Sequence, residues 1–149
     1  MTDRPADLTL DELRFALAPH VAAAAVFDGW TNAAVDAAAA TIGVDPALGR
    51  YAFADGPMAM IAAWSEATTA AMREVLPAAL LAARPVRERI RSLIAFRLEA
   101  AQGREEAVRR ALAIMAMPHN APRALRLGWA SAAAMWRLAG DTATDYNHY

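Results

Sequence analysis

At 149 residues the chain fits one domain, 1–149, with a core large enough to stand without metal or disulfide support. It has no cysteine, which excludes a disulfide framework and a thiolate site, and all fifteen basic residues are arginine. The formal charge of −1 conceals a gradient: residues 1–60 carry three arginines against eight acids, residues 61–149 twelve against eight.

Alanine, the best helix former, supplies 41 residues, so the expected fold class is all-α. The opening MTDRPAD is acidic and unlike a secretory signal or an arginine-rich transit peptide. The apolar run VAAAAVF is too short to span a bilayer, and a bacterial cytoplasm is the expected location. Thr9-Leu10-Asp11-Glu12 reads as a capping box ahead of an apolar stripe of Leu13, Ala16, Leu17 and Val21, in a helix ending near Asp28-Gly29. Thr31 is placed to cap a second helix, stopped by Gly43 after Ile42. Asp45-Pro46 opens a very short third. Asp55 and Pro57 open a long fourth, with Met60, Ile61, Trp64, Thr68, Met72 and Leu76 on one face and Pro77 ending it. Pro85 opens a fifth, with Val86, Ile90, Leu93, Ile94 and Ala101 inward and Gly103 closing it. A sixth runs from about Arg104 to Met117 with Val108, Ala111, Leu112 and Met115 inward. Pro122 opens a seventh in which Leu125, Trp129, Ala132, Trp136 and Ala139 recur at helical spacing before Gly140.

Residues 20–61 resemble the N-terminal domain of the tetracycline-repressor superfamily through Phe27, Gly29-Trp30, Thr31, Ala39, Gly43-Val44, Tyr51 and Phe53. The resemblance implies a tetracycline-repressor-like helical bundle, with a helix-turn-helix-like part over 1–56 and a helical part over 57–149. DNA reading needs polar or basic side chains on the third helix and bases beside it. That helix reads Pro46-Ala47-Leu48-Gly49-Arg50-Tyr51 within an acidic half, and Asp55 stands where these repressors have a lysine. No nucleic acid partner is therefore expected.

The C-terminal third carries a second resemblance. Pro118, His119-Asn120, Pro122, Met135-Trp136, Ala139-Gly140-Asp141, Thr144-Asp145-Tyr146-Asn147 and Tyr149 are similar to the coenzyme Q biosynthesis accessory family. These lipid-binding proteins assist demethoxyubiquinone hydroxylase and have a tetracycline-repressor-like fold. The resemblance extends over about residues 13–149. It implies a non-catalytic protein that binds a prenylated quinone intermediate, or another lipid, and presents it to the hydroxylase. It also implies that Met117, Pro118, His119, Asn120, Trp136, Arg137, Asp141 and Tyr146 form the docking surface, which would explain apolar Met117 and Pro118 in a loop. Trp64, Met72, Phe96, Met115 and Trp129 are the candidates to line the implied pocket, although their spacing fits a plain core as well. The family continues into further helices, one of them amphipathic and membrane-binding, whereas this sequence stops at Tyr149. The expectation is thus a truncated chain or one without that element. Peripheral contact with the inner face of the bacterial inner membrane and a homodimer remain compatible with the resemblance.

Other readings compete. Met117 to Asn120 also reads as a helix stop, with Asn120 capping the next helix. The fold also suits a ligand-responsive transcriptional repressor. Asp145 and His148 stand three apart, but the carboxylates and histidines of a di-iron site are missing, so no metal is expected. Ser65, Ser92 and Ser131 lie within helices with no base placed beside them, so no catalytic residue is assigned and no cofactor beyond a bound isoprenoid or other lipid. Arg84, Arg87, Arg89 and Arg91 read as a solvated face, with attraction to anionic lipid as the second reading.

Overall fold

A computed structural model of the chain describes residues 8–140. Among these the fold is all-α, with eight helices: α1 (Leu10–Asp28), α2 (Asn32–Ile42), α3 (Pro46–Ala52), α4 (Pro57–Val75), α5 (Ala78–Leu81), α6 (Val86–Ala100), α7 (Glu105–Met115) and α8 (Ala121–Leu138). A single 3-10 turn, Pro118–Asn120, links α7 to α8.

Local chemistry sets most of the boundaries. The Glu12 amide donates to Thr9 Oγ1 at 3.2 Å, while the Thr9 amide donates to Glu12 Oε1, so the capping box at α1 forms. Asp45 Oδ1 accepts from the Ala47 amide at 2.9 Å, and Pro46 occupies the first turn of α3. Gly43 takes the left-handed conformation, φ 75°, that lets the amides of Gly43 and Val44 return to the Ala39 carbonyl and stop α2. Two expected caps do not form. Thr31 turns its hydroxyl back to the Asp28 carbonyl, and Gly56 rather than Asp55 stands at the start of α4. The four-residue α5 has too few residues to show periodicity in the sequence.

The larger core joins α1 to α4 with α7. Leu13, Leu17, Val21, Val35, Phe53, Met60 and Ala107 are buried together, so residues before and after Gly56 share one interior. Ala34, Ala38 and Ala39 on α2 allow close crossing, and Gly49 on α3 lies so near that a β-carbon there would meet Val35 Cγ1 at 3.1 Å. A smaller cluster at the far end joins Met72, Leu81, Leu93, Ala134 and Ala139. Arg89 fastens that end, donating to the carbonyls of Arg84, Ala139 and Ala82 at 2.7, 2.9 and 3.3 Å. It secures the C-terminus of α8 and is no part of a solvated arginine face. Arg84 likewise donates to Ser92 Oγ at 2.8 Å, which leaves Arg87 and Arg91 as the exposed pair of the four.

Most of the apolar stripe on α8 faces out, the pocket candidate Trp129 included, while Ala139 of the same stripe is buried. Leu125 is 75% exposed, Trp129 80% and Trp136 53%. Ala124, Leu127, Ser131 and Ala134 turn inward instead, because small side chains let α8 sit close on α4. Val86 and Ile94 on α6 and Leu112 on α7 are also exposed, contrary to their expected inward placement.

Candidate functional site

Between α4, α6, α7 and α8 lies a cavity of about 670 Å³, within the range that holds small organic ligands. Ile61 and Trp64 of α4, Val108, Ala111, Leu112 and Met115 of α7, and Ala124, Leu125 and Leu127 of α8 give it apolar walls. The many alanines keep the helices from filling the space. Leu112 and Leu125 line it while remaining more than half exposed, so they form the lips of an opening between α7 and α8.

One end of this cavity is polar. Arg97 donates from its two terminal nitrogens to Thr69 Oγ1 at 3.1 Å and to Ser131 Oγ at 3.3 Å, and Ser65 and Ser131 share a hydrogen bond at 3.1 Å. Ser131 is the last lining residue of α8 and Arg97 the first of α6, so register alone puts the cluster at an end. Burial pulls the Arg97 guanidinium below its usual value, yet it stays charged at neutral pH. Among the described residues no carboxylate lies within ion-pair distance of it. The opposite end is bordered by Ala116 and Ala121, which flank the Pro118–Asn120 turn.

Of the residues expected to line a pocket, the structure brings Trp64 and Met115 into this cavity. Phe96 lines a smaller adjoining recess of about 260 Å³ that shares Trp64, Thr68 and Ala100 with the cavity. Met72 is fully buried in the smaller core cluster and Trp129 points into solvent, so neither lines the space. Met72 lies two turns beyond Trp64 on α4, at the end closed by α5, and Trp129 sits on the outer side of α8.

The residues expected to dock a partner are spread out. Met117, Pro118 and His119 are exposed beside the turn, as are Trp136 and Arg137 near the end of α8. Asn120 and Trp136 are separated by about 24 Å along the helix axis, with exposed Leu125 and Trp129 between them. Asn120 does not cap α8: its Nδ2 donates to the Ile114 carbonyl at 2.9 Å and closes the end of α7. Asp141 and Tyr146 lie outside the described residues.

Arg97 and its hydroxyl partners were not singled out as a site in the sequence. The readable signal is a cation on the inward stripe of α6, in step with Ile90 and Leu93.

The first three helices offer little positive charge. Arg50, the one base on α3, donates through Nε to Asp36 Oδ1 at 2.9 Å and pairs a second time with Oδ2. That bidentate bond holds the Asp36 carboxyl below its usual value. Arg14 is bound to Asp11 and to the Ala52 carbonyl. Among the described residues no three histidine or acidic side chains gather as metal ligands, and no helix is long and apolar enough to cross a membrane.

The COQ9 family model matches residues 121–149. The match spans 29 of the 149 residues, so the likeness to the coenzyme Q biosynthesis family is to the last fifth of the chain. No curated protein matches the chain. The COQ9 match begins with the first residue of α8, so it covers the helix that supplies one wall of the cavity and the outward Leu125, Trp129 and Trp136 stripe.

Proposed function

We propose that this protein is a non-catalytic, lipid-binding accessory protein of ubiquinone biosynthesis, which shelters a prenylated quinone intermediate between α4, α6, α7 and α8 and presents it to demethoxyubiquinone hydroxylase. The observation that carries the reading is the apolar cavity of about 670 Å³, one wall of which is the helix matched by the COQ9 family model. Apolar walls favour a hydrocarbon chain by roughly 25 cal/mol for each Å² removed from water.

In this reading the hydroxylase covers the outward face of α8, from Met117 through Leu125 and Trp129 to Trp136, with Arg137 at the rim. Large aromatic side chains at that exposure suit an anchor surface. The ligand leaves between Leu112 and Leu125, beside the same face, so delivery requires no reopening of the core.

The test is native mass spectrometry of the protein purified from a ubiquinone-producing bacterium, followed by solvent extraction. A bound species that releases an isoprenoid quinone is the expected result; protein that carries no lipid and takes up none from added quinone removes the proposal. The reading of the fold as a DNA-binding repressor gains nothing from α3, whose one base is held by Asp36.

A further inference from the structure

The cavity pairs apolar walls with a single cation. Of its lining side chains Arg97 alone is ionisable, and the adjoining recess adds Arg104 but again no carboxylate. A guanidinium has five N–H donors, and the bonds to Thr69 and Ser131 use two. Both partners are neutral hydroxyls, so the charge itself is uncompensated by any described side chain. A half-buried cation in that state attracts an anion more strongly than a neutral acceptor, because hydrogen bonds to an ionised oxygen are shorter and about twice as strong. Ser65 and Ser131 bond to each other, which leaves one of their two hydroxyl hydrogens to donate beside it. From Ser131 to Ala121 the cavity follows α8 for about 15 Å, which is room for an extended hydrocarbon chain directed away from the charge.

We infer that the cavity takes a single-chain amphiphile with an anionic oxygen head, the head seated at Arg97 beside the Ser65–Ser131 pair and the chain running toward Met115 and Ala121. This rests on the lipid-binding part of the reading above and departs from its quinone, whose head is uncharged: the lone cation selects an ionised oxygen, which fixes the class of head and the direction of the chain. The Met117 to Asn120 turn then rims the tail end, so the apolar loop residues border hydrocarbon as well as solvent.

The experiment is calorimetric titration of the full chain at about pH 8, where a carboxyl group is ionised, with dodecanoate, dodecanol and acetate as probes below their aggregation limits. Dodecanoate is expected to bind about tenfold more tightly than dodecanol, and acetate not detectably. Arg97→Gln is expected to erase the preference while dodecanol affinity persists. Arg97→Lys, which keeps the charge, retains a preference for dodecanoate and serves as the second variant if the Gln form loses its helical circular dichroism. Equal affinity for dodecanoate and dodecanol, or a preference that survives Arg97→Gln, overturns the head-group assignment while the lipid cavity stands. Acetate binding as tightly as dodecanoate reveals a small-anion site and also overturns it. Binding of none of the three removes this inference, whereas the quinone reading stands or falls on the native mass spectrometry and quinone uptake above.

Discussion

The indole nitrogen of Trp30 donates to the carbonyl oxygen of Ala107 at 2.9 Å, a bond across 77 positions that ties the α1–α2 connection to α7. The Trp30 ring also lies 5.6 Å from that of Trp64, tilted by 38°. A wall of the cavity is therefore braced by a residue outside it. Trp30→Phe keeps an aromatic ring and deletes the donor, leaving a buried carbonyl short of one partner. It is expected to lower stability by about 1–2 kcal/mol, read as a lower urea midpoint with an unchanged slope.

Arg89 donates to two carbonyls of the α5–α6 connection, Ala82 and Arg84, and to that of Ala139 at the end of α8. Arg89→Met preserves the apolar stem and removes the donors, so the last turn of α8 should loosen. The expected loss is about 2 kcal/mol, with hydrogen exchange faster at Met135 to Ala139 than in α1. Uniform acceleration along the chain would argue against a local clamp.

Glu106 accepts two hydrogen bonds from Arg109 and one from Arg110, and these hold its carboxyl down at about 2. Because the folded value lies below the unfolded one, the ion pairs support the fold above the ordinary carboxylate range, and that support is lost as pH falls toward about 2. A carbon-detected titration of the Glu106 carboxyl should show a midpoint near 2. Replacing both Arg109 and Arg110 by Ala should move it up toward the ordinary range.

Trp129 and Trp136 make little of the core. Trp129→Ala and Trp136→Ala are each expected to change stability by no more than about 0.5 kcal/mol. If the outward face of α8 docks the hydroxylase, each should weaken co-purification with that enzyme at least tenfold, by analogy with aromatic anchors elsewhere. Undiminished capture by both variants would withdraw the docking surface.

The paired state of Arg50 makes a separate prediction. Fluorescence anisotropy with duplex DNA at low salt should give no saturable complex, since the acidic half repels phosphate and its α3 base is engaged. A tight, sequence-selective complex would restore the repressor reading.

Helix boundaries were legible because their causes are local. Thr9 with Glu12, Asp45 with Pro46, and Gly43 act within one turn of chain and need no distant partner. The facing of α8 was not, because that helix is apolar on two sides. Leu125, Trp129 and Trp136 form the more conspicuous stripe, yet Ala124, Leu127 and Ala134 face inward, since a neighbour at close range selects small side chains. Three of the five aromatic and methionine candidates, Met72, Phe96 and Trp129, do not line the cavity for the same kind of reason: spacing gives a face, and packing decides what lies opposite.

The sequence by itself determined an all-helical chain, its turns, and an acidic first half whose third helix carries one base, because propensity, capping and charge are properties of residues and their near neighbours. Only the tertiary structure decided that Arg97 meets Ser131 and Thr69, residues 34 and 28 positions away, at the end of an apolar space. That meeting depends on how α4, α6 and α8 cross, which is fixed by side-chain volume at contacts remote in the chain.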